Sequence, residues 1–139
     1  AHITHIGHVG VSERAKLLAG ARATFMATTY LEPFGGVSIE SMLSGTPVIA
    51  TDFGAFPENV IHGLSGYRFR TIGEATQFSS EEMLNKLDRV DIRDYARANF
   101  SMDVVRFRYQ DYFEQLYTLW EEGFYSTKET SADRYTRYL

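Results

Sequence analysis

The chain has 139 residues, close to one domain, and its 44% hydrophobic and 14% aromatic content is enough for a sizeable core, which excludes global disorder. A formal charge of −4 argues against a general nucleic-acid binder, and the lack of cysteine excludes disulfides and thiolate metal sites. No apolar run approaches the roughly 18 residues of a membrane span, and no signal-peptide pattern opens the chain.

Ile3-Thr4-His5-Ile6-Gly7-His8-Val9 alternates apolar and polar residues as a strand does, and ends at Gly10. With no initiator Met before it, the chain reads as a piece of a longer protein. Ser12 is the expected N-cap of a helix from Glu13 to Arg22, followed by a short strand over Ala23 to Thr29. A Pro-Phe-Gly-Gly turn then opens a helix from about Val37 to Leu43, stopped by Ser44-Gly45. Thr46 to Thr51 is a β-branched strand with Pro47 near its start, where a strand tolerates it. Asp52 to Ala55 turns into a short helix over Pro57 to Ile61, and Tyr67 to Phe69 is the next strand.

Strands and helices thus alternate with short connections, the pattern of an α/β fold with a Rossmann-like parallel sheet and flanking helices. Ligands of such sheets gather at the carboxyl ends of the strands, here the loops at Gly7–Gly10, Thr29–Gly36 and Asp52–Ala55. Beyond Phe69 the pattern turns helical. Ser80 opens one run with Met83, Leu84, Leu87 and Val90, and Ile92 to Phe100 forms another. From Met102 to about Gly123, Val105, Tyr109, Tyr112, Leu116 and Leu119 fall on one helical face. Residues 1–100 read as the sheet domain, 101–125 as a long aromatic C-terminal helix, and 126–139 as a polar tail.

Glu32-Pro33-Phe34-Gly35-Gly36-Val37-Ser38-Ile39-Glu40 puts two carboxylates eight positions apart around a glycine turn. The first N–H groups of a helix lack internal partners and carry the positive end of its dipole, so they suit a phosphate or diphosphate. Glycine there lets a ligand approach the main chain. Glu40, one turn into the helix, can take two hydrogen bonds from a vicinal diol such as a ribose. Glu32, before the turn, can meet the other end of a ligand. The bland alternative is a β–α turn with two solvated glutamates.

This segment resembles the Glu-x7-Glu motif of retaining glycosyltransferases of family 4. Met42, Gly45-Thr46-Pro47-Val48-Ile49-Ala50, Asp52, Gly54, Pro57-Glu58 and Gly63…Gly66 continue the likeness, which covers roughly residues 3 to 69 and weakens towards 120. The resemblance implies most of the C-terminal, donor-binding domain of a GT-B enzyme, whose active site lies between two Rossmann-like domains. Glu32 would contact the transferred sugar beside the reacting carbon. Main-chain groups of Phe34, Gly35 and Gly36 would line the sugar, those of Val37 and Ser38 the diphosphate, and Glu40 would hold the ribose. His8 and Val9 would lie where the base is received. Ser41 and Ala55 depart from the family pattern, which usually has Ala and often Gly at those places.

The implied donor is a UDP- or GDP-sugar, and the acceptor a carbohydrate or lipid-linked glycan bound through an N-terminal domain that also carries the basic diphosphate ligands. The C-terminal helix, with Phe107, Tyr109, Tyr112, Phe113, Tyr117 and Trp120, would cross back to that domain. No Asp-x-Asp motif appears, so the helix terminus is expected to replace a divalent cation, with no cofactor and no metal. The expected location is cytoplasmic, with peripheral attachment of the full protein to the inner face of a membrane as a variant of that reading. The isolated chain is expected to transfer nothing.

Other features carry less. His2, His5 and His8 recur every third residue, which in a strand sends them to opposite faces rather than to one metal. Asp52 is a turn former more readily than a catalyst, and Glu58 either braces the loop under the donor or caps a short helix. Competing functions are a non-catalytic nucleotide-sugar-binding or assembly module, and a glycoside hydrolase using Glu32 and Glu40. A dehydrogenase is disfavoured, because no Gly-x-Gly-x-x-Gly follows a strand.

Overall fold

Parallel strands cannot be joined by a tight hairpin; each pair needs a crossover. The computed structural model, which describes residues 3–122 and side chains through residue 120, supplies one each time. Helix α1 (Val11–Gly20) leads to strand β1 (Thr24–Met26), α2 (Gly36–Leu43), β2 (Val48–Thr51), α3 (Phe56–Asn59) and β3 (Gly66–Phe69). Four further helices follow: α4 (Ile72–Phe78), α5 (Glu81–Leu84), α6 (Arg89–Phe100) and α7 (Met102–Glu122). The strands form one parallel sheet in the order β1-β2-β3, with Phe25 beside Ile49 and Ile49 beside Tyr67. The α/β, Rossmann-like expectation holds.

β2 is central and covered on both faces, so Val48, Ile49 and Ala50 form an unbroken apolar run rather than an alternating one. On one face Val48 and Ala50 pack with Ile39 and Met42 of α2 and Ile92 and Ala96 of α6. On the other, Ile49 and Phe69 pack with Ala75, Phe78 and Leu84. Pro47 sits just outside β2 and needs no N–H there, while its carbonyl accepts from Thr24 N at 2.9 Å. α2 stops in a Schellman motif: Thr46 N donates to Ser41 O at 2.9 Å and Gly45 N to Met42 O at 2.8 Å, with Gly45 at φ 73°.

Several local expectations are corrected. Residues 3–9 are irregular and mostly exposed, not a strand; Gly7 takes φ 66°, which breaks an extended run, and the segment pairs with no strand among the described residues. Gly10, not Ser12, is the N-cap of α1, and that helix ends at Gly20. β1 is three residues long, less than half the expected span. The run opened by Ser80 is only α5, capped by Ser80 Oγ on Met83 N at 3.3 Å. Asp88 then starts α6, its Oδ1 accepting from Val90 N at 2.6 Å.

The chain divides after Phe100 into two compact units, Ala1–Phe100 and Ser101–Leu139. In the second, α7 leaves Phe107, Tyr109, Tyr112, Phe113, Leu116, Tyr117 and Trp120 exposed, while Val105 and Leu119 are half-buried. The expected polar tail lies outside the described residues. No helix among the described residues is long and apolar enough to cross a membrane.

Candidate functional site

The loops that leave β1 and β2 are locked together at the carboxyl edge of the sheet. Ala55 N donates to Glu32 O at 2.9 Å, and a Cβ on Gly54 would stand 2.8 Å from Glu32 N, so this close approach requires glycine. Gly54 takes φ 67°, whereas Ala55 sits at φ −77°, ψ −14°. The left-handed residue is therefore the glycine that is present, and alanine at 55 costs nothing. Asn59, buried at the end of α3, donates its side-chain amide to Phe34 O and accepts from Tyr95 Oη at 3.0 Å through its own carbonyl.

On this platform the turn delivers α2. Gly35 is its N-cap at φ 74°, ψ 49°, with the buried Phe56 ring and Ser38 Oγ beneath it. Ser38 is fully buried: its N–H takes the Gly35 carbonyl at 2.9 Å and its hydroxyl the same oxygen at 2.7 Å. Gly35 N–H donates to Glu32 Oε1 at 2.9 Å. That leaves the N–H groups of Gly36 and Val37 without an internal partner among the described residues, and both positions are exposed. A Cβ on Gly36 would meet nothing within 4 Å, so the space above it is open. Phe34 is also exposed.

Glu32 is held from both sides, by Gly35 N–H on Oε1 and by the Tyr30 hydroxyl on Oε2. The Tyr30 bond first, then the backbone donors, hold its carboxyl below the ordinary glutamate range; the same contact pushes the Tyr30 phenol up. Near neutral pH Glu32 is therefore an ionised acceptor, suited to receiving bonds from hydroxyls rather than to donating a proton.

Glu40 lies just beyond the first turn of α2 and is half-buried. Arg14 of α1 grips it with two nitrogens: Nη2 donates to Oε1 at 2.9 Å, and Nε lies 2.8 Å from Oε2. Oε2 is buried and takes no hydrogen bond, the Nε–H being misaligned with it, so that contact is an ion pair by charge. α1 itself is anchored at its far end, where Thr46 Oγ1 donates to Leu18 O at 2.7 Å and Arg89 Nη2 to Ala19 O at 2.6 Å.

Tyr30, Asn59, Phe56 and Arg14 are the supports that sequence reasoning did not single out. Tyr30 stood two residues from a flagged acid, a spacing that could have been read. Arg14 pairs across 26 positions, and no local pattern announces it.

The other flagged residues are spread out. His8 is exposed and Val9 half-buried in the irregular segment, and His2 lies outside the described residues. Among the described residues no three histidine or carboxylate side chains converge as a metal site would. Asp52 is bound by Arg68 Nε and Arg70 Nε, each at 2.8 Å, and Glu58 is exposed in the first turn of α3. Ser41 is fully buried with its hydroxyl donating to Thr46 O at 3.0 Å and 2.7 Å from Thr24 Oγ1, so the extra oxygen is satisfied. A shallow cleft of about 320 Å³, lined by Arg22, Phe25, Ile49 and Leu84, opens on the opposite face of the sheet from α2 and takes no part in this arrangement.

Known proteins are similar to part of this chain. Glycogen synthase of Mycobacterium tuberculosis (strain ATCC 25618 / H37Rv) is 38% identical over 61 residues, 44% of this chain and 14% of that protein. Sucrose synthase 2 of Tulipa gesneriana is 36% identical over 55 residues, and that of Zea mays 33%; each match covers 40% of this chain and 7% of the relative. The matched stretch is thus a small fraction of the length of those relatives. The family model described as glycosyl transferases group 1 matches residues 1–97, and the chain belongs to that family.

Proposed function

We propose that this chain is the donor-binding part of a glycosyltransferase that moves a sugar from a nucleoside-diphosphate sugar to an acceptor with retention of configuration. The observation that carries the reading is the pair of N–H groups at the exposed residues Gly36 and Val37, without a partner among the described residues, in a turn flanked in sequence by Glu32 and Glu40 in a member of this family. In the reaction the bond from the sugar's anomeric carbon to the diphosphate breaks, and its electron pair leaves with the phosphate oxygen. The two N–H groups and the α2 dipole stabilise that developing charge. The acceptor hydroxyl bonds to the anomeric carbon and passes its proton to the departing diphosphate oxygen.

Glu32, ionised, takes hydroxyls of the transferred sugar and faces the positive charge that develops on it. The main chain of Phe34, Gly35 and Gly36 lines the sugar, and Val37 together with Gly36 receives the diphosphate. Ser38 contributes by bracing the Gly35 carbonyl, since its own N–H is used inside the turn. Glu40 takes the ribose, and the segment with His8 and Val9 flanks the base.

No metal enters the proposed chemistry. A carbohydrate or lipid-linked glycan acceptor is held by a further domain outside this chain, reached by α7. The proposed location is the cytoplasm or the cytoplasmic face of a membrane. A melting-temperature screen of the full-length protein against UDP, GDP, ADP and their common sugars tests the proposal: one nucleotide should raise Tm, and Glu40→Gln should reduce the rise. No shift with any of them would remove the donor site.

A further inference from the structure

We propose that Arg14 is a positioning residue for the ribose end of the donor, fixing the Glu40 carboxylate in the orientation that receives a ribose hydroxyl. The inference rests on the donor-site reading above and adds to it a residue from a different helix. A glutamate on a helix surface has three side-chain torsions to freeze when it binds a diol, and freezing them at the moment of binding costs affinity. Here Arg14 already holds the carboxylate end of that side chain. The Arg14 guanidinium meets both carboxylate oxygens, through a directional hydrogen bond to Oε1 at 2.9 Å and by charge to Oε2 at 2.8 Å. Oε2 is buried against Arg14, so Oε1 is the oxygen left to a ligand, with a lone pair beyond the one that Nη2 uses.

Fold stability is a poor explanation for the pair. Both side chains are well solvated, 38% and 42% exposed, and such ion pairs add little to stability. α1 is held independently at its other end, by Thr46 and Arg89 on the carbonyls of Leu18, Ala19 and Ala21. What the pair alone determines is where Glu40 points. That assigns to α1 a share in ribose recognition.

The test measures affinity of the full-length protein for UDP, GDP and ADP and for their 2′,3′-dideoxy counterparts. Wild type should prefer the ribonucleotide by about tenfold, the worth of a hydrogen bond to a charged acceptor. Arg14→Gln should bring that preference to within about threefold while leaving dideoxy affinity within about twofold of wild type. Arg14→Lys, which keeps the charge but not the guanidinium, should fall between them and remains informative if Arg14→Gln melts early. Three results would overturn the role: an intact ribose preference in both variants, an equal loss towards both nucleotide types, or tighter ribonucleotide binding, which would make Arg14 a plug. If Glu40→Gln abolishes the preference while the Arg14 variants keep it, only this inference falls. If Glu40→Gln keeps it, or wild type binds no diphosphate, the donor-site reading falls too.

Discussion

Phe56 lies directly beneath Gly35: its Cε1 is 3.0 Å from the point a Cβ on that residue would occupy, and Gly35 holds φ 74°. The next residue, Gly36, has neither constraint. The two glycines therefore do different work, and substitution separates them. Gly35→Ala should lower stability by about 2 kcal/mol, from left-handed strain together with the ring contact. Gly36→Ala should leave stability unchanged or raise it by a few tenths of a kcal/mol, since alanine favours a helix. Its methyl group would instead occupy the approach to the free N–H groups, weakening nucleotide binding about tenfold. Urea unfolding and nucleotide titration of both variants check this. Normal affinity in Gly36→Ala would mean that the ligand does not dock there.

Asn59 is the buried support of the same turn. Its amide donates to Phe34 O, and truncation would leave that carbonyl without this donor. Asn59→Ala should cost about 1–2 kcal/mol, and Asn59→Asp more, because a carboxylate would face the carbonyl oxygen. Equilibrium unfolding gives the size; a nucleotide Kd that weakens in step would tie the loss to the turn rather than to α3 alone.

These supports also mark where the sequence stops being legible. The β–α alternation, the glycine turn and the boundaries of α2 could be read because local chemistry writes them: Gly35 must be left-handed, and Ser44-Gly45 closes a Schellman motif. The segment 3–9 misleads for a physical reason, since alternation describes a strand only when another strand offers its edge and no glycine turns the chain. No expected helix covers α4, yet Thr71-x-x-Glu74 is a capping box that announces one: Glu74 N donates to Thr71 Oγ1 at 3.2 Å and Thr71 N to Glu74 Oε2 at 3.2 Å. Arg14–Glu40 and Asn59–Phe34 belong to another class. They join residues 26 and 25 positions apart, and only the packing of α1 and α3 against α2 and its turn brings them together.

Tyr30 favours the ionised form of Glu32. Its hydroxyl is the largest of the influences that hold the Glu32 carboxyl below the usual range, ahead of Gly35 N–H. Removing it in Tyr30→Phe should let the Glu32 pKa rise towards its ordinary value. An activity that needs ionised Glu32 falls as pH drops through that pKa, so the acid limb of kcat/KM in the full-length enzyme should move to higher pH in the variant. A limb that stays in place would separate Glu32 ionisation from turnover.

Asp52 ties the end of β2 to β3 by charge. Burial alone would raise its pKa, but the bonds from Arg70 and Arg68 outweigh that and hold it below the ordinary aspartate value. Arg68 carries the link onward, its Nη1 donating to Val60 O at 2.5 Å. A depressed folded-state pKa means that the stabilisation is complete above the unfolded value of about 3.9 and is lost as pH falls through the lower folded value. Asp52→Asn should therefore cost about 1 kcal/mol near neutral pH, the two arginines sharing one partly solvated carboxylate. The gap to wild type should close only below about pH 4, where the wild-type carboxylate also becomes neutral. A gap of constant size down to the acid transition would assign the cost to packing of the amide instead of to the ion pairs. Urea midpoints taken at a series of acid pH values distinguish the two.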